Sequence, residues 1–104
     1  MTLKVKYLSI LITIVLLIPL YSFASFEEGL EAAKNNDFDS AYEFWKKSSD
    51  QGDTASQFNI GLLYTMGLGV NQNYEEAFNW FEQSAIQGLA EAQYHLGLLY
   101  FEGL

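Results

Sequence analysis

The chain has no cysteine, no arginine and a single histidine, His95. Without cysteine there is no disulfide and no thiolate metal ligand, so packing alone must hold the fold. One histidine cannot build a multi-histidine metal site. Lacking arginine, the chain has no guanidinium fork for bidentate phosphate contacts. Positive charge is also scarce: five lysines stand against thirteen acidic residues, for a net charge of −8. Such a field repels nucleic acid and anionic membrane surfaces and is compatible with a basic or neutral protein or peptide partner. No cofactor is expected.

What is present begins with Lys4 and Lys6, followed by an apolar run from Leu8 to Leu20 broken only by Ser9, Thr13 and Pro19, and then Ser22-Phe23-Ala24. A basic start, an apolar stretch and small residues two apart describe a secretory signal peptide cut after Ala24. The alternative is an uncleaved anchor, since a spanning helix needs ~20 apolar residues and Tyr7 to Ala24 comes close. With no cysteine after the run, lipid attachment there is excluded. The expectation is a leader or anchor over 1–24 and an exported domain over 25–104, periplasmic or secreted, or anchored in the inner membrane if uncleaved. The exported part keeps Lys34, Lys46 and Lys47 against all thirteen acids, a net charge near −10.

Sliding the sequence against itself by 36 residues aligns QFNIGLLYTMGL (57–68) with QYHLGLLYFEGL (93–104), with seven of twelve positions identical. The same shift lays DFDSAYEFWKKSSDQG (37–52) on NYEEAFNWFEQSAIQG (73–88), keeping Ala41/Ala77, Ser48/Ser84, Gln51/Gln87 and Gly52/Gly88 while aromatics exchange with aromatics. Self-similarity at a fixed period is the mark of a solenoid. The units are 26–53, 54–89 and a partial 90–104.

Each unit divides into two helical stretches. Apolar residues at Tyr74, Ala77, Phe78, Phe81 and Ala85 fall on one face of a helix. Asn73-x-x-Glu76 and Thr54-x-x-Gln57 have the form of capping boxes, and Gly52 and Gly88 mark helix ends. The reading is helices over 26–35, 38–51, 54–66, 73–87 and 90–102. Phe58, Ile60, Leu62, Leu63, Tyr64 and Met66 go most of the way round the third, which predicts cover from several sides. Gly29, Gly61 and Gly97 lie inside helices despite a cost of ~1 kcal/mol each relative to alanine, which predicts close helix crossing at all three. Trp45, Trp80 and Phe81 are expected in the core.

With AEAQYHLGLLYFEGL and GLGVNQNYEEAFNWFEQSAIQG in view, the chain resembles the Sel1-like repeat, a relative of the tetratricopeptide repeat, over nearly all of 26–104. The residues that carry the likeness are Leu-Gly-x-x-Tyr, Gly-x-Gly-Val, Ala-x-x-Trp and a closing Gln-Gly. The resemblance implies an all-α fold, a short right-handed α-solenoid of antiparallel helix pairs with about two and a half repeats. It also implies a non-enzymatic adaptor or scaffold that binds other proteins. The first unit departs from the pattern: Gly29 to Ala41 spans 12 residues and Gly61 to Ala77 spans 16, so the middle unit carries four extra residues between its helices.

In tetratricopeptide-like clamps the position shared by Asn59 and His95 can face the groove and hold peptide backbone; the alternative is a partly exposed polar residue on a structural helix. The candidate partner-binding groove is therefore Phe58, Asn59, Thr65, Tyr94 and His95, with Phe26, Phe58 and Tyr94 forming either an aromatic ladder or part of the core. The third unit has a first helix and no second. Its Leu98, Leu99 and Phe101 make a candidate terminal contact face, through which a homodimer can form or beyond which a longer repeat protein would continue.

Other chemistry finds less support in the residues. Gly67 and Gly69 in TMGLGVNQN can form an anion-binding nest, but no phosphate-loop Lys and Ser/Thr follow, and a hinge between helices accounts for them. Glu75 with Glu76 and Asp37 with Asp39 sit at helix starts, where the dipole favours negative charge. Some cysteine-rich secreted Sel1-like proteins are linked to cell-wall or β-lactam hydrolysis, and this chain lacks their cysteines. The remaining alternative is a truncated fragment of a longer repeat protein.

Overall fold

Asp37, Asp53 and Asn73 each turn a side-chain oxygen onto the backbone N–H three residues ahead, that of Ser40 at 3.2 Å, Ser56 at 2.9 Å and Glu76 at 3.1 Å. Each bond satisfies one of the free amides of an opening helical turn. The helices they open are α2 (Phe38–Asp50), α3 (Thr54–Met66) and α4 (Tyr74–Ile86). With α1 (Thr2–Lys34) and α5 (Ala90–Glu102) they make an all-α repeat solenoid in the computed structural model. The structure describes residues 2–103, with the side chains of 2–6 and 11–19 outside that description. No strand occurs among the described residues.

Two sequence expectations are corrected here. Asp53, not Thr54, caps α3, because Asp53 has extended backbone and its carboxylate takes both the Ser56 amide and the Ser56 hydroxyl. Thr54 is the first helical residue, and its hydroxyl donates to Gln87 Oε1 at 2.5 Å. The helix expected over 26–35 is the last part of α1, which runs without interruption through Leu20 to Glu28, a stretch with no glycine, asparagine or proline. The leader-or-anchor reading rests on an apolar run whose side chains from 11 to 19 lie outside the described residues. Among the described residues no helix is long and apolar enough to cross a membrane.

The continuity of α1 has a packing consequence. Ser22 and Ser25 are buried, and the Ser48 hydroxyl of α2 donates to the Ser22 carbonyl at 2.8 Å. In the next unit the Ser84 hydroxyl donates to the Thr54 carbonyl at 3.0 Å. Ser22 lies 7 residues before Gly29, as Thr54 does before Gly61. The first unit therefore engages its second helix from Ser22, four residues before the boundary the sequence suggested.

Successive helices pack on one another from α1 through α5, as expected of an array in which each unit touches only its neighbours. One core cluster joins Ala41 and Trp45 of α2 to Ile60 and Leu63 of α3. A second joins Ala77 and Phe81 of α4 to Leu99 of α5. α3 contributes to both, which accounts for apolar residues most of the way round it. Trp45 and Phe81 are buried, while Trp80 is half-buried, with Lys46 lying over its ring at 5.1 Å.

The loop 67–73 between α3 and α4 is a hinge. Gly67 ends α3 in left-handed backbone (φ 69°), and its amide together with that of Leu68 bonds to the Leu63 carbonyl. Gly69 is also left-handed (φ 71°), and a side chain there would run into the Phe38 carbonyl, so the loop lies against the start of α2. The Gly67 and Leu68 amides are thus occupied by the end of α3.

Candidate functional site

The glycines in the first helices organise the contact surface. A methyl group on Gly29 would strike the Trp45 ring, and one on Gly61 would lie 2.5 Å from Phe81 Cε1. Each glycine is a notch filled by the aromatic of its own unit's second helix. Trp45 also donates its indole N–H to the Phe26 carbonyl at 3.2 Å. At Gly97 nothing lies within 4 Å of such a methyl group. The close crossing expected at all three glycines is present at two and open at the third.

Around Phe81 the structure gathers several of the residues singled out from the sequence. The His95 imidazole stacks on Phe81 at 5.4 Å and meets Phe58 at 5.3 Å and Tyr94 at 5.6 Å, while Phe58 lies 5.6 Å from Phe81. His95 is half-buried at the centre of this cluster. Beside it opens a cleft of about 160 Å³ lined by Thr65, Tyr74, Phe81, His95, Leu98 and Glu102. Thr65 and His95 therefore share one cleft, with the Thr65 hydroxyl turned back to the Gly61 carbonyl at 2.9 Å. Phe58 is half-buried against the second core cluster. Asn59, the residue after Phe58 on α3, is half-buried and is not among the residues lining the cleft, and Tyr94 is 65% exposed.

At the terminal face, Phe101 is 89% exposed and Leu98 is half-buried at the rim of the cleft. Leu99 corrects the sequence reading: it is 6% exposed and packs with Ala77 and Phe81 in the core. Helical geometry explains the difference, because neighbours in sequence point about 100° apart. The exposed stripe on α5 is instead Ala90, Tyr94, Gly97 and Phe101. Sequence reasoning missed it, although aligning these residues with Thr54, Phe58, Gly61 and Thr65 would have located it.

Electrostatically the surface is acidic, and among the described residues the lysines are engaged, Lys47 lying over the Phe44 ring at 5.7 Å. Lys46 lies 3.7 Å from Asp50, and Lys34 is 3.9 Å from Glu31. Hydrogen bonds from Ser40 hold the Asp37 carboxyl below its ordinary value. The Tyr64 hydroxyl is pushed up to about 12, first by its hydrogen bond with Tyr42 and then by burial, so it stays neutral and structural. Among the described residues no group of three His, Cys, Asp or Glu side chains can hold a metal ion. A wider depression of about 440 Å³ lies over α2, lined by Asp39, Glu43, Phe44 and Lys47 with Gly69 and Val70.

The cleft can therefore grip a side chain or a short segment by stacking and hydrogen bonding.

Compared with known proteins, the chain matches the Sel1 repeat family over residues 24–53, 54–89 and 90–104. No curated protein matches it. Among solved structures it is similar to a Sel1 repeat protein from Oxalobacter formigenes, with 31% identity and a TM-score of 0.75 over 79% of this chain. It is also similar to a protective antigen present in uropathogenic Escherichia coli strains displaying an SLR fold, with 32% identity and a TM-score of 0.74 over 79% of this chain. The chain spans 35% and 18% of the length of those two proteins.

Proposed function

We propose that this chain, which belongs to the Sel1 repeat family, is an exported adaptor that holds a neutral or basic protein segment in the cleft beside His95. Sel1 repeats generally mediate protein–protein interaction, and proteins built from them are typically non-catalytic scaffolds. The observation that carries the specific reading is the half-buried imidazole set among Phe58, Phe81 and Tyr94 at the rim of a cleft that also holds Glu102. Aromatic groups at a partly wet rim supply contact area at low entropic cost, and the surrounding carboxylates select against acidic partners. Capture from an envelope fraction with tagged full-length chain tests it. The Thr65→Ala/His95→Ala pair, both residues lining the cleft, is expected to reduce the retained partner by roughly tenfold, the scale of one or two interface contacts. Equal capture by wild type and the double variant would refute the cleft assignment.

Export rests on the basic-then-apolar N-terminal segment. The bond from Ser48 to Ser22 favours a form that keeps the segment, as an anchor continuous with α1, over one cut after Ala24. The intact mass of chain recovered from the envelope is expected to include residues 1–24. A mass beginning at Ser25 would replace the anchor with a cleaved leader.

A further inference from the structure

Ser22 and Ser25 are buried where α1 joins the array, and the residues between and beside them are not. Leu20, Tyr21 and Phe23 are each more than half exposed. Phe23 and Phe26 also line a depression of about 480 Å³ with Gln51 and Gly52 of the α2–α3 turn, so the apolar surface continues from α1 onto the array. Single exposed hydrophobic residues need no explanation, whereas these four fall within two helical turns and form a patch. A further apolar group projects from the same end. α4 runs against α3 with its Ser84 hydroxyl on the Thr54 carbonyl, as α2 runs against α1 with its Ser48 hydroxyl on the Ser22 carbonyl. Two residues beyond Ser84, Ile86 is 79% exposed. The turn that carries it is held in place, because the Gln87 side-chain amide donates to Gln57 Oε1 at 2.8 Å. At the helical rise, Leu20 and Ile86 each lie about 3 Å beyond the serine bond of their own unit, toward the same end of the array.

We propose that this end of the array rests on a lipid surface, with Leu20, Tyr21 and Phe23 seated among the headgroups and Ile86 touching them. The inference rests on the reading that the chain keeps residues 1–24. Lipid is the occupant because the patch continues in sequence from the run Leu8–Leu20, which carries no charge, and because residues 1–26 hold Lys4 and Lys6 and no acid. Tyr21 has the apolar ring and hydroxyl favoured where hydrocarbon meets headgroup. Asp50, Asp53 and Glu91 lie at the same end of the helices, so the surface that fits is zwitterionic, not anionic. α1 has no break between the patch and the array, and the bond to Ser22 clamps it there. The segment therefore fixes the orientation of the array as well as its location. Thr65, Tyr74 and Glu102 of the cleft lie at the opposite end of their helices, which turns the cleft away from the lipid and toward a partner.

Because the chain has no cysteine, single labels can be placed at will. The test uses the full chain as Phe23→Cys, Ile86→Cys and Asn71→Cys variants, each carrying a fluorophore, in phosphatidylcholine vesicles that bear a nitroxide on the headgroup. All three positions are exposed, and circular dichroism matching wild type is expected for each variant, so quenching reports depth and not lost folding. Asn71 lies in the loop at the far end of the 13-residue α4, about 20 Å from Ile86 by the helical rise. Labels at positions 23 and 86 are expected to be quenched severalfold more strongly than the label at 71. Equal quenching at 86 and 71, in a chain that floats with the vesicles, would overturn the proposal and leave the retained segment standing. A full chain that does not float with the vesicles would overturn both.

Discussion

Replacing Phe81 with alanine is expected to cost about 3–5 kcal/mol, the range for deleting a buried phenyl ring. Phe81 is fully buried and does three things at once. It fills the notch at Gly61, supports the Phe58 and His95 rings, and meets Leu99 from α5. The space it leaves cannot close easily, because the ring is bounded by a helix backbone on one side and by two aromatic groups on the other. In a solenoid each unit is stabilised only by its neighbours, and α5 packs chiefly on α4. Loss of Phe81 should therefore release α5 before the rest unfolds. Circular dichroism should show a melting temperature lowered by more than 10 °C, given that roughly 1 kcal/mol moves a domain of this size by 4–8 °C. Hydrogen exchange should accelerate first across 90–102. A shift of only a few degrees with α5 still protected would mean that Phe81 does not hold the last helix in place.

Most of this architecture was legible because a repeat reports the same physics more than once. The 36-residue period located α2 to α5 to within a residue at each end, and Asn73 was recognisable as a cap because Glu76 follows three positions on. α1 was harder. Its start as a repeat helix carries no cap and no glycine, and the Ser22 and Ser25 that bury against α2 are indistinguishable in sequence from the small residues of a leader. Asp53 and Thr54 are both good capping residues, and only the backbone angles decide between them.

The candidate site was legible by position and less so by direction. His95 and Thr65 do share a cleft, and their equivalence to Asn59 and Phe101 follows from the repeat. The direction of Leu98, Leu99 and Phe101 did not follow. Three apolar residues within one helical turn cannot all face outward, and the choice of Leu99 for the core is set by Ala77 and Phe81 on another helix. Periodicity over a short helix that is apolar on several sides does not resolve this, whereas comparison with α3 does.

That comparison also gives substitutions of opposite sign at positions the sequence presents as equal. Gly61→Ala gains ~1 kcal/mol in helix propensity, yet its methyl group would sit 2.5 Å from Phe81 Cε1 and 2.6 Å from Cδ1. Phe81 is fully buried and pinned by Phe58 and His95, so the ring cannot swing aside, and the helices must separate. Overpacking of this kind costs about 1–3 kcal/mol, and with the ring held on both sides the upper part of that range applies, leaving a net loss. Gly97→Ala collects the same propensity gain with no neighbour to displace. Thermal melts of the two variants should therefore move in opposite directions from wild type, Gly61→Ala down and Gly97→Ala up, by several degrees each. Shifts of the same sign would show that the glycines are equivalent after all, either because α3 and α4 can part at no cost or because something already lies against Gly97. Opposite shifts would establish that the missing side chain matters for packing at Gly61, where a helix of the same chain approaches, and not at Gly97, where nothing lies within 4 Å.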